Sequence, residues 1–400
     1  MIDNLAPGGA QRQLATLGVG LRKRGHAVRF LVYHPQDHFL PLLQEAGIPR
    51  HVIPACSRWR RLLAVRRELS QGWQDVVLAF LEIPCLCAEL ARISRPRWGL
   101  VAGERSAAPS WGIGLAGWLR QAHRLADCVV TNSHTNRLML HQQQPFLKNK
   151  LTTIYNIVDF EAFRPTADPQ PSLRLKTDCV CRIVVAASYQ ANKNLSGVAR
   201  ALLELRRRRF RRPVMVDWYG GMPADASTYN RAQAFIAEHG LTGILNLHPP
   251  TRKLASEFAT ASAVGLFSFC EGLPNVICEG MASGKVILLS DVCDAGNLVR
   301  EGKNGFLCDP ASPESIAHAI GLVAALTIED RQHMGTESRR MAEQLFAEDI
   351  VLDRYEQVLA AAARHENLPA GCIWPADVPD SAWKTSHNSS SLTHARPVTA

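Results

Sequence analysis

Two carboxylates flank a turn that contains glycine and proline in the stretch Cys270–Ala282. The apolar run 263–269 before this turn predicts a buried strand, and a helix is predicted to begin near Asn275. A strand, a glycine-bearing loop and a helix N-terminus form an anion site, because free backbone N–H groups and the helix dipole point at one spot. Glu271 lies in this loop, and Glu279 lies about one turn inside the helix.

Carboxylates repel phosphate, so these two side chains need another partner. Beside a phosphate site they suit hydroxyl groups, which donate hydrogen bonds to them. A nucleotide-sugar, with phosphates in its middle and hydroxyls at both ends, meets both requirements. An acidic loop followed by a solvated glutamate at a helix start would give the same sequence pattern, since Asp and Glu favour first turns. This stretch alone leaves both interpretations open.

The composition is that of a globular protein with enough residues for two or three domains. The chain has 400 residues, of which 46% are hydrophobic and 20% charged. Its net charge of +9 could favour anionic membranes, nucleic acid or phosphorylated substrates. The 11 cysteines form no CxxC pair and no zinc-like spacing with histidine, which predicts reduced core residues of a cytosolic protein and no metal. No apolar run reaches the roughly 18 residues of a membrane span, and no signal peptide is predicted.

Helical and strand patterns alternate along the chain, which predicts a parallel α/β architecture. A polar stretch with several prolines predicts a linker at 165–178. We therefore predict an N-terminal domain over 1–164 and a C-terminal domain over 179–346. A helix at 347–364 and a disordered Pro-, Ser- and Thr-rich tail at 365–400 follow.

The start of the chain is unusual for a doubly wound sheet, in which the first strand precedes the first glycine loop. Only Met1–Leu5 clearly precedes the Pro7-Gly8-Gly9 loop, and Asp3 and Asn4 suit a strand poorly. We expect the recorded start to lie downstream of the natural one by about one strand of five to six residues. A version with that strand restored should then melt at a higher temperature.

Taken in order, the motifs resemble those of the retaining glycosyltransferases of the GT-B fold in family 4, also called glycosyltransferase group 1. The resemblance covers roughly residues 1–364 and implies two Rossmann-like doubly wound parallel-sheet domains facing a central cleft, with a C-terminal crossover helix. It rests on the segments Gly8-Gly9-Ala10-Gln11-Arg12, Thr131-Asn132-Ser133, Tyr155-Asn156-Ile157-Val158-Asp159, Ala191-Asn192-Lys193-Asn194, Glu271-x7-Glu279 and Asn304-Gly305-Phe306-Leu307-Cys308-Asp309-Pro310.

The resemblance also implies a role for each site residue. Glu279 would hold the ribose hydroxyls, Glu271 would hold hydroxyls of the donor sugar, and Lys193 would neutralise the departing diphosphate. Gly8 and Gly9 would let the backbone approach the ligand closely. Such enzymes need no metal, because lysine and helix dipoles supply the positive charge. The loop expected to lie against sugar and phosphate consists of Gly272, Leu273, Pro274, Asn275 and Val276.

The donor site departs from the family pattern at one cation. Many relatives carry an arginine five residues before the lysine, where this chain has Ser188, which we predict to contact the donor in its place. One positive charge for the diphosphate would therefore be lost, or supplied from elsewhere by Arg12 or Arg105.

The N-terminal domain shows a second departure. Many relatives carry a histidine there, whereas the comparable stretch 101–106 is similar to the "SERN" variant of bacterial polysaccharide and lipid-linked-oligosaccharide enzymes. We predict that Glu104 and Arg105 line the cleft as catalytic residues, with a surface ion pair as the alternative. His123 and His134 are predicted to lie on helix surfaces.

A basic segment at 57–67 combines five arginines with Trp59. It predicts either contact with an anionic membrane that presents a lipid-linked acceptor or a solvated helix face. The arginines of 206–212 end a helix and suit its dipole. No nucleic-acid partner is predicted, because no stacking platform or known module accompanies the charge.

Together these observations predict a bacterial hexosyltransferase that moves a sugar from a nucleotide-diphosphate donor, with UDP as the expected nucleotide, to a glycan or lipid-linked acceptor with retention. The expected setting is cell-surface polysaccharide or glycolipid synthesis in the cytoplasm, with peripheral contact at the inner face of the membrane. The alternatives are a sugar-nucleotide epimerase on the same fold and a degenerate non-catalytic subunit, which Ser188 and the short start would suit. A dinucleotide oxidoreductase is disfavoured, since Gly8-Gly9 lacks the GxGxxG spacing.

Overall fold

The computed structural model describes residues 1–53, 57–94, 97–105, 120–165, 180–207 and 212–369. These residues form two compact units, one of Met1–Ile154 together with the chain from Leu352, and one of Tyr155–Val351. The predicted linker lies outside the described residues except for Pro165, and so does the predicted tail beyond residue 369.

All strand pairings of the first unit are parallel within the described residues. Strand β1 (Phe30–Val32) pairs with β2 (Arg50–Val52), and four further strands form a sheet in the order β3-β4-β5-β6. These four are β3 (Val76–Phe80), β4 (Gly99–Glu104), β5 (Cys128–Thr131) and β6 (Leu151–Thr153).

The N-terminal residues connect these two sheets. The N–H of Ile2 donates to the carbonyl of Leu31 at 3.1 Å, and the N–H of Phe80 donates to the carbonyl of Met1 at 3.0 Å. Residues 1–3 therefore occupy the place of a central strand between β1 and β3, although no strand is assigned to them. The Asn4 side chain accepts from the N–H of Ala6 at 2.8 Å, and such local bonds favour turns over strands.

The helices of the first unit cover these strands and include part of the C-terminal helix. The predicted cap at Ser133 is present, because its side chain accepts from the N–H of Asn136. A Cβ at Gly99 would lie 2.2 Å from the carbonyl oxygen of Ala362, so the C-terminal helix packs directly on β4. The helices are α1 (Gly9–Lys23), α2 (Leu40–Glu45), α3 (Arg58–Leu69), α4 (Glu82–Ala91), α5 (His134–Gln143) and, from Leu352 on, the last helix.

The second unit is a doubly wound parallel sheet with the strand order β12-β11-β10-β7-β8-β9. The order reverses between β7 and β10, so the loops that follow these two strands diverge and leave a crevice at their carboxyl ends. The strands are β7 (Cys181–Ala186), β8 (Val214–Tyr219), β9 (Leu245–His248), β10 (Ala263–Leu266), β11 (Val286–Ser290) and β12 (Gly305–Cys308).

Two helical layers bury the faces of this sheet. One core contains Trp218 and Phe267, and the other contains Phe258 and Phe346. Gly280 lets its helix approach β10, since a Cβ there would lie 2.8 Å from Val264 Cβ. The helices are α6 (Leu195–Arg207), α7 (Ser227–Glu238), α8 (Leu254–Ala259), α9 (Asn275–Ala282), α10 (Ala295–Leu298), α11 (Pro313–Ala325), α12 (Ile328–Phe346) and α13 (Glu348–Ala363), which continues into the first unit.

The boundary between the units falls before the predicted one at residue 164. Tyr155 and the residues after it belong to the second unit. The N–H of Val158 donates to the carbonyl of Phe346 at 3.1 Å, and the ring of Phe163 lies 6.0 Å from that of Phe258. These apolar side chains bind the segment to the second core before the proline-rich stretch begins. Among the described residues, no helix combines the length and apolarity needed to cross a membrane.

Candidate active site

Lys193 and Glu271 meet at the crevice where the strand order of the second unit reverses. Lys193 ends a short turn after β7, and Glu271 lies in the loop after β10. Lys193 Nζ donates to Glu271 Oε1 at 2.5 Å, and both side chains are mostly buried, with 19% and 15% exposed. The N–H of Phe269 donates to the carbonyl of Asn192 at 2.9 Å, which joins the two loops a second time. The structure therefore brings together two of the residues that the sequence predicts for the donor site.

The lysine turn is held by the backbone of the motif 304–310. Asn194 ends the turn in the left-handed region with a φ of 64°. Its side-chain N–H donates to the carbonyl of Pro310 at 2.7 Å. The loop after β12 thus fixes the position of the lysine turn.

The N-terminus of α9 offers backbone donors beside this pair. The N–H groups of Ile277 and Cys278 donate to the carbonyl of Pro274 at 3.0 and 3.2 Å. Within the described residues, no bond occupies the N–H groups of Asn275 and Val276. Free N–H groups and the positive end of the helix dipole favour an anion here, as the sequence predicts.

The side chains of the predicted donor loop differ in their burial. Leu273 is 6% exposed and packs into the core, so only its backbone is available to a ligand. Gly272, Asn275 and Val276 are half-buried. Asn156 donates its side-chain amide to Asn275 Oδ1 at 2.6 Å, and this bond orients the first residue of α9. The motif 155–159 singled out from the sequence thus supports the anion site from the same unit.

Glu279 lies one turn into α9 and is 5% exposed. Its backbone carbonyl accepts from the N–H of Ser283 and from its hydroxyl, both at 2.9 Å. These bonds fix the backbone of Glu279 in α9, about one turn after the N–H groups of Asn275 and Val276. Its predicted role in holding ribose hydroxyls stays a prediction.

Ser188, at the position where the resemblance implies an arginine, is half-buried in the loop after β7. The carbonyl of the neighbouring Ala187 accepts from Trp218 Nε1 at 2.7 Å, and the hydroxyl of Tyr189 donates to the carbonyl of His248 at 2.7 Å. These bonds fix the backbone on both sides of Ser188, whose proposed contact with the donor is untested.

A polar cluster on β7, β8 and β9 was not singled out from the sequence. Asp217 accepts from Arg182 Nε at 2.6 Å, lies 3.1 Å from His248 Nε2, and accepts from Asn246 at 2.9 Å. Burial opposes the ionisation of Asp217, but these hydrogen bonds and the Arg182 charge hold its pKa below the usual range. The sequence could have indicated this cluster, because polar residues stand at alternate positions of neighbouring strands.

Gly8, Gly9 and Arg12 lie at the start of α1 in the first unit. Gly8 is the N-cap residue in an extended conformation that any residue adopts, with a φ of −163°. The N–H of Arg12 donates to the carbonyl of Gly8 at 2.9 Å. A ligand role for these residues, which the structure places in a different unit from Lys193, stays a prediction.

The prediction that His123 lies on a helix surface is wrong. His123 is 2% exposed, with Nδ1 at 2.5 Å from Glu89 Oε1 and Nε2 at 3.2 Å from Glu104 Oε1. It lies in a tight turn, Arg120–Leu125, that packs on α4 and faces the interior. His134, at the first position of α5, is half-buried.

Charge pairing decides the protonation of this buried cluster. Burial opposes the charge on His123, but the two carboxylates outweigh it and raise its pKa to about 10. Burial likewise opposes the charge on Glu104, yet His123 and Arg120 hold its pKa below the usual value. Glu104, at 7% exposed, therefore belongs to an ionic cluster inside the first unit. The predicted catalytic role of Glu104 is untested.

Arg105 is held at the end of β4 by three contacts. Its guanidinium lies 3.7 Å from the centre of the Phe80 ring and donates to the Tyr355 hydroxyl. Its carbonyl accepts from the Asn132 side chain at 3.1 Å, so the motif Thr131-Asn132-Ser133 holds its backbone. A catalytic role for Arg105 also stays a prediction.

Solved structures with the same architecture identify the class of fold. The structure of Anabaena Alr3699/HepE in complex with UDP has a TM-score of 0.77 at 19% sequence identity, covering 90% of this chain and 98% of that one. A glycosyltransferase from Rickettsia africae has a TM-score of 0.77 at 15% identity, covering 90% and 97%. The two parallel α/β units are thus those of the GT-B fold.

Sequence comparison then gives the family. Residues 7–162 match the model described as Glycosyltransferase Family 4, and residues 181–325 match the one described as Glycosyl transferases group 1. The chain belongs to this family of glycosyltransferases.

The curated relatives are similar to this chain over only part of their own length. The D-inositol 3-phosphate glycosyltransferase of Streptomyces scabiei is 26% identical over 211 residues, 50% of this chain and 47% of that protein. The protein of the same name from Nocardioides is 25% identical over 306 residues, 68% of this chain and 65% of that protein. The chain thus spans about half the length of the first of these relatives.

Proposed function

We propose that this protein transfers a sugar from a UDP-sugar to a hydroxyl of a glycan or lipid-linked acceptor, with retention of the anomeric configuration. The observation that carries the proposal is the Lys193–Glu271 pair, at 2.5 Å, beside the free N–H groups of α9. Glu279, one turn along the same helix, adds a second carboxylate for hydroxyls. Cation, backbone donors and two carboxylates match a ligand with a diphosphate between two hydroxyl-bearing groups.

The transfer breaks the bond between the sugar C1 and the diphosphate oxygen and forms a bond between C1 and the acceptor oxygen. The acceptor hydroxyl gives up its proton to the departing diphosphate oxygen. The electron pair of the broken bond goes to the diphosphate, whose negative charge rises as it leaves. Lys193 and the N–H groups of Asn275 and Val276 are placed to stabilise that charge. An ammonium has three donors, so Lys193 can bond to the diphosphate and keep its bond to Glu271.

The pairing with Lys193 also favours a binding role for Glu271. One carboxylate oxygen of Glu271 already accepts from the Lys193 ammonium at 2.5 Å, so this oxygen is occupied. Its second oxygen can still accept from sugar hydroxyls. Glu271 is therefore proposed to hold the donor sugar rather than to abstract a proton.

UDP is the proposed nucleotide. Structures of Anabaena Alr3699/HepE, which shares the fold, are described as complexes with UDP and with UDP-glucose. We expect UDP-glucose to raise the melting temperature of the protein more than GDP-glucose or ADP-glucose at equal concentration, since a ligand that binds only the folded state stabilises it by RT ln(1 + [L]/Kd). A preference for another nucleotide would overturn the choice of UDP.

Product analysis tests the activity. With UDP-glucose and a hydroxyl acceptor, we expect free UDP and a glycoside with the donor's anomeric configuration, read by NMR. A new nucleotide-sugar formed from the donor alone would indicate an epimerase. No conversion with any donor and acceptor tried would indicate a non-catalytic subunit, and an inverted glycoside would refute retention.

An anionic membrane surface is the proposed location of the acceptor. Helix α3 exposes Trp59 and Leu63, with 79% and 65% of their surface exposed, next to the exposed Arg60, Arg66 and Arg67. These residues lie on one face of the helix, at spacings of three and four residues. An exposed face that joins apolar and basic side chains is typical of helices that lie in a membrane interface.

Exchanging Arg60, Arg66 and Arg67 for glutamine should weaken binding to vesicles that contain anionic lipid by about 100-fold, since each arginine near such a surface contributes about 1 kcal/mol. Flotation with and without anionic lipid measures this. The control variant exchanges Arg231, Arg252 and Lys253, which are exposed on the second unit, for glutamine. It removes the same number of positive charges. Equal losses in both variants would refute a specific role for α3.

A further inference from the structure

Two cysteines meet directly beside the Lys193–Glu271 pair. Cys270 follows β10 and Cys293 follows β11, and these strands are parallel neighbours, so their loops leave the sheet at the same edge. Both residues are half-buried, and each thiol shifts the pKa of the other. The N–H of Glu271 donates to Cys293 Sγ at 3.3 Å. The thiol pair is therefore bonded to the backbone of a proposed donor-binding residue.

This pair differs from the other cysteines that the structure describes. Those are all buried, in agreement with the prediction of core residues, and burial raises the pKa of Cys181, for example, to about 11. At Cys270 the hydrogen bond from Cys293, with a smaller contribution from the Lys193 charge, outweighs burial and lowers the pKa. The thiolate is the reactive form of cysteine, so Cys270 is the more reactive partner.

Cys293 also has an unusual backbone. Its φ of 54° lies in the left-handed region, which few residues other than glycine adopt. The next residue, Asp294, is buried and accepts from the Tyr155 hydroxyl at 3.1 Å. The surroundings thus hold Cys293 in a strained conformation that aims its sulfur at the loop of Glu271.

We propose that Cys270 and Cys293 form a reversible disulfide that weakens donor binding when it closes. The effect on the donor rests on the function proposed above. With oxidised glutathione as the oxidant, the Cys270 thiolate attacks one sulfur of glutathione disulfide and releases one glutathione. Cys293 then attacks the Cys270 sulfur of the mixed disulfide and releases the second. Two electrons and two thiol protons pass from the protein to the two reduced glutathiones.

Closing the disulfide must move the loop. The sulfurs have to come well inside hydrogen-bonding distance, and Cys270 is covalently adjacent to Glu271. The displacement acts on the N–H of Glu271 that now bonds to Cys293 and on the carboxylate that pairs with Lys193. Displacements of about 1 Å at a binding group cost up to about 100-fold in activity.

The test uses the purified full chain in glutathione buffers of graded oxidised-to-reduced ratio. Free thiols are blocked by alkylation, and unreduced digests are searched by mass spectrometry for the linked Cys270 and Cys293 peptides. UDP-glucose affinity is measured on the same samples by calorimetry. We expect the linked peptide to appear as the affinity falls at least tenfold, and dithiothreitol to reverse both. In Cys270→Ser and in Cys293→Ser, oxidised and reduced samples should have the same affinity.

Each of the other possible results contradicts a different part of the proposal. No linked peptide even in fully oxidised buffer would refute the disulfide. A linked peptide with unchanged UDP-glucose affinity would refute its effect on the site. If the reduced protein binds no nucleotide-sugar, the proposed function fails, and the proposed effect on donor binding fails with it. The linked peptide would still show whether the disulfide forms.

Discussion

Exchanging Lys193 for alanine should lower turnover of a UDP-sugar by about 100- to 1000-fold, the size of effect that follows removal of one preorganised group from developing charge. Lys193 is bonded to Glu271 at 2.5 Å in a mostly buried position, where an ammonium is weakly screened by solvent. Steady-state kinetics with UDP release as the readout measure the loss. Exchanging Lys303, an exposed lysine of the same unit, should leave turnover unchanged.

A second variant separates the catalytic role of Lys193 from its pairing with Glu271. Lys193→Ala leaves the Glu271 carboxylate without this partner, which we expect to cost about 1–3 kcal/mol of stability. Adding Glu271→Gln removes the unpaired charge, so the double variant should regain melting temperature but not turnover. Recovery of turnover in the double variant would show that Lys193 only neutralises Glu271 and would refute its role toward the diphosphate.

Exchanging His123 for leucine should destabilise the protein by about 3–5 kcal/mol, since it removes the central partner of two buried carboxylates. Glu89 and Glu104 are 1% and 7% exposed, so water cannot replace the imidazolium. For a unit of this size the loss corresponds to a melting temperature lower by roughly 10 °C. Thermal unfolding followed by circular dichroism measures it, and His38→Ala, at an exposed histidine of the same unit, should have little effect.

The same cluster predicts how stability depends on pH. The pKa of His123 is raised from 6.5 to about 10 in the folded protein. Its contribution to stability is therefore fully present below pH 6.5 and is lost as pH rises toward 10. The pKa of Glu104 is lowered in the folded protein, so the stability that Glu104 contributes is instead lost as the pH falls below 4.5. His123→Leu should flatten the loss of stability between pH 6.5 and 10, and an unchanged slope would contradict the charged state of His123.

Local signals predicted the elements that hold the donor site. Helix α9 follows the turn at Gly272 and Pro274 and begins at Asn275, as predicted from the sequence. The buried strand predicted in the apolar run 263–269 is β10, because loop residues border the apolar pattern. The crevice between β7 and β10 follows from the alternation of strands and helices once the sheet is doubly wound.

Contacts between distant segments could not be predicted in the same way. Lys193 and Glu271 are separated by 78 positions, and only the strand order brings them together. The surroundings of His123 depend on α4 and β4, and its own neighbours in sequence gave no sign of burial. The pairing of Cys270 with Cys293 likewise depends on the adjacency of β10 and β11. Residue types indicated the chemistry, whereas topology decided the partners.

The most direct measurement is the affinity of UDP-glucose by calorimetry for the wild type, Glu279→Gln and Glu238→Gln. Glu279 is 5% exposed on α9, and Glu238 is exposed at the end of α7 of the same unit. A hydrogen bond to a charged group contributes about 1.5–3 kcal/mol, so Glu279→Gln should bind at least tenfold more weakly. Glu238→Gln should match the wild type. Equal affinity in all three proteins, or no binding of any nucleotide-sugar by the wild type, would contradict the assignment of this stretch as the donor site.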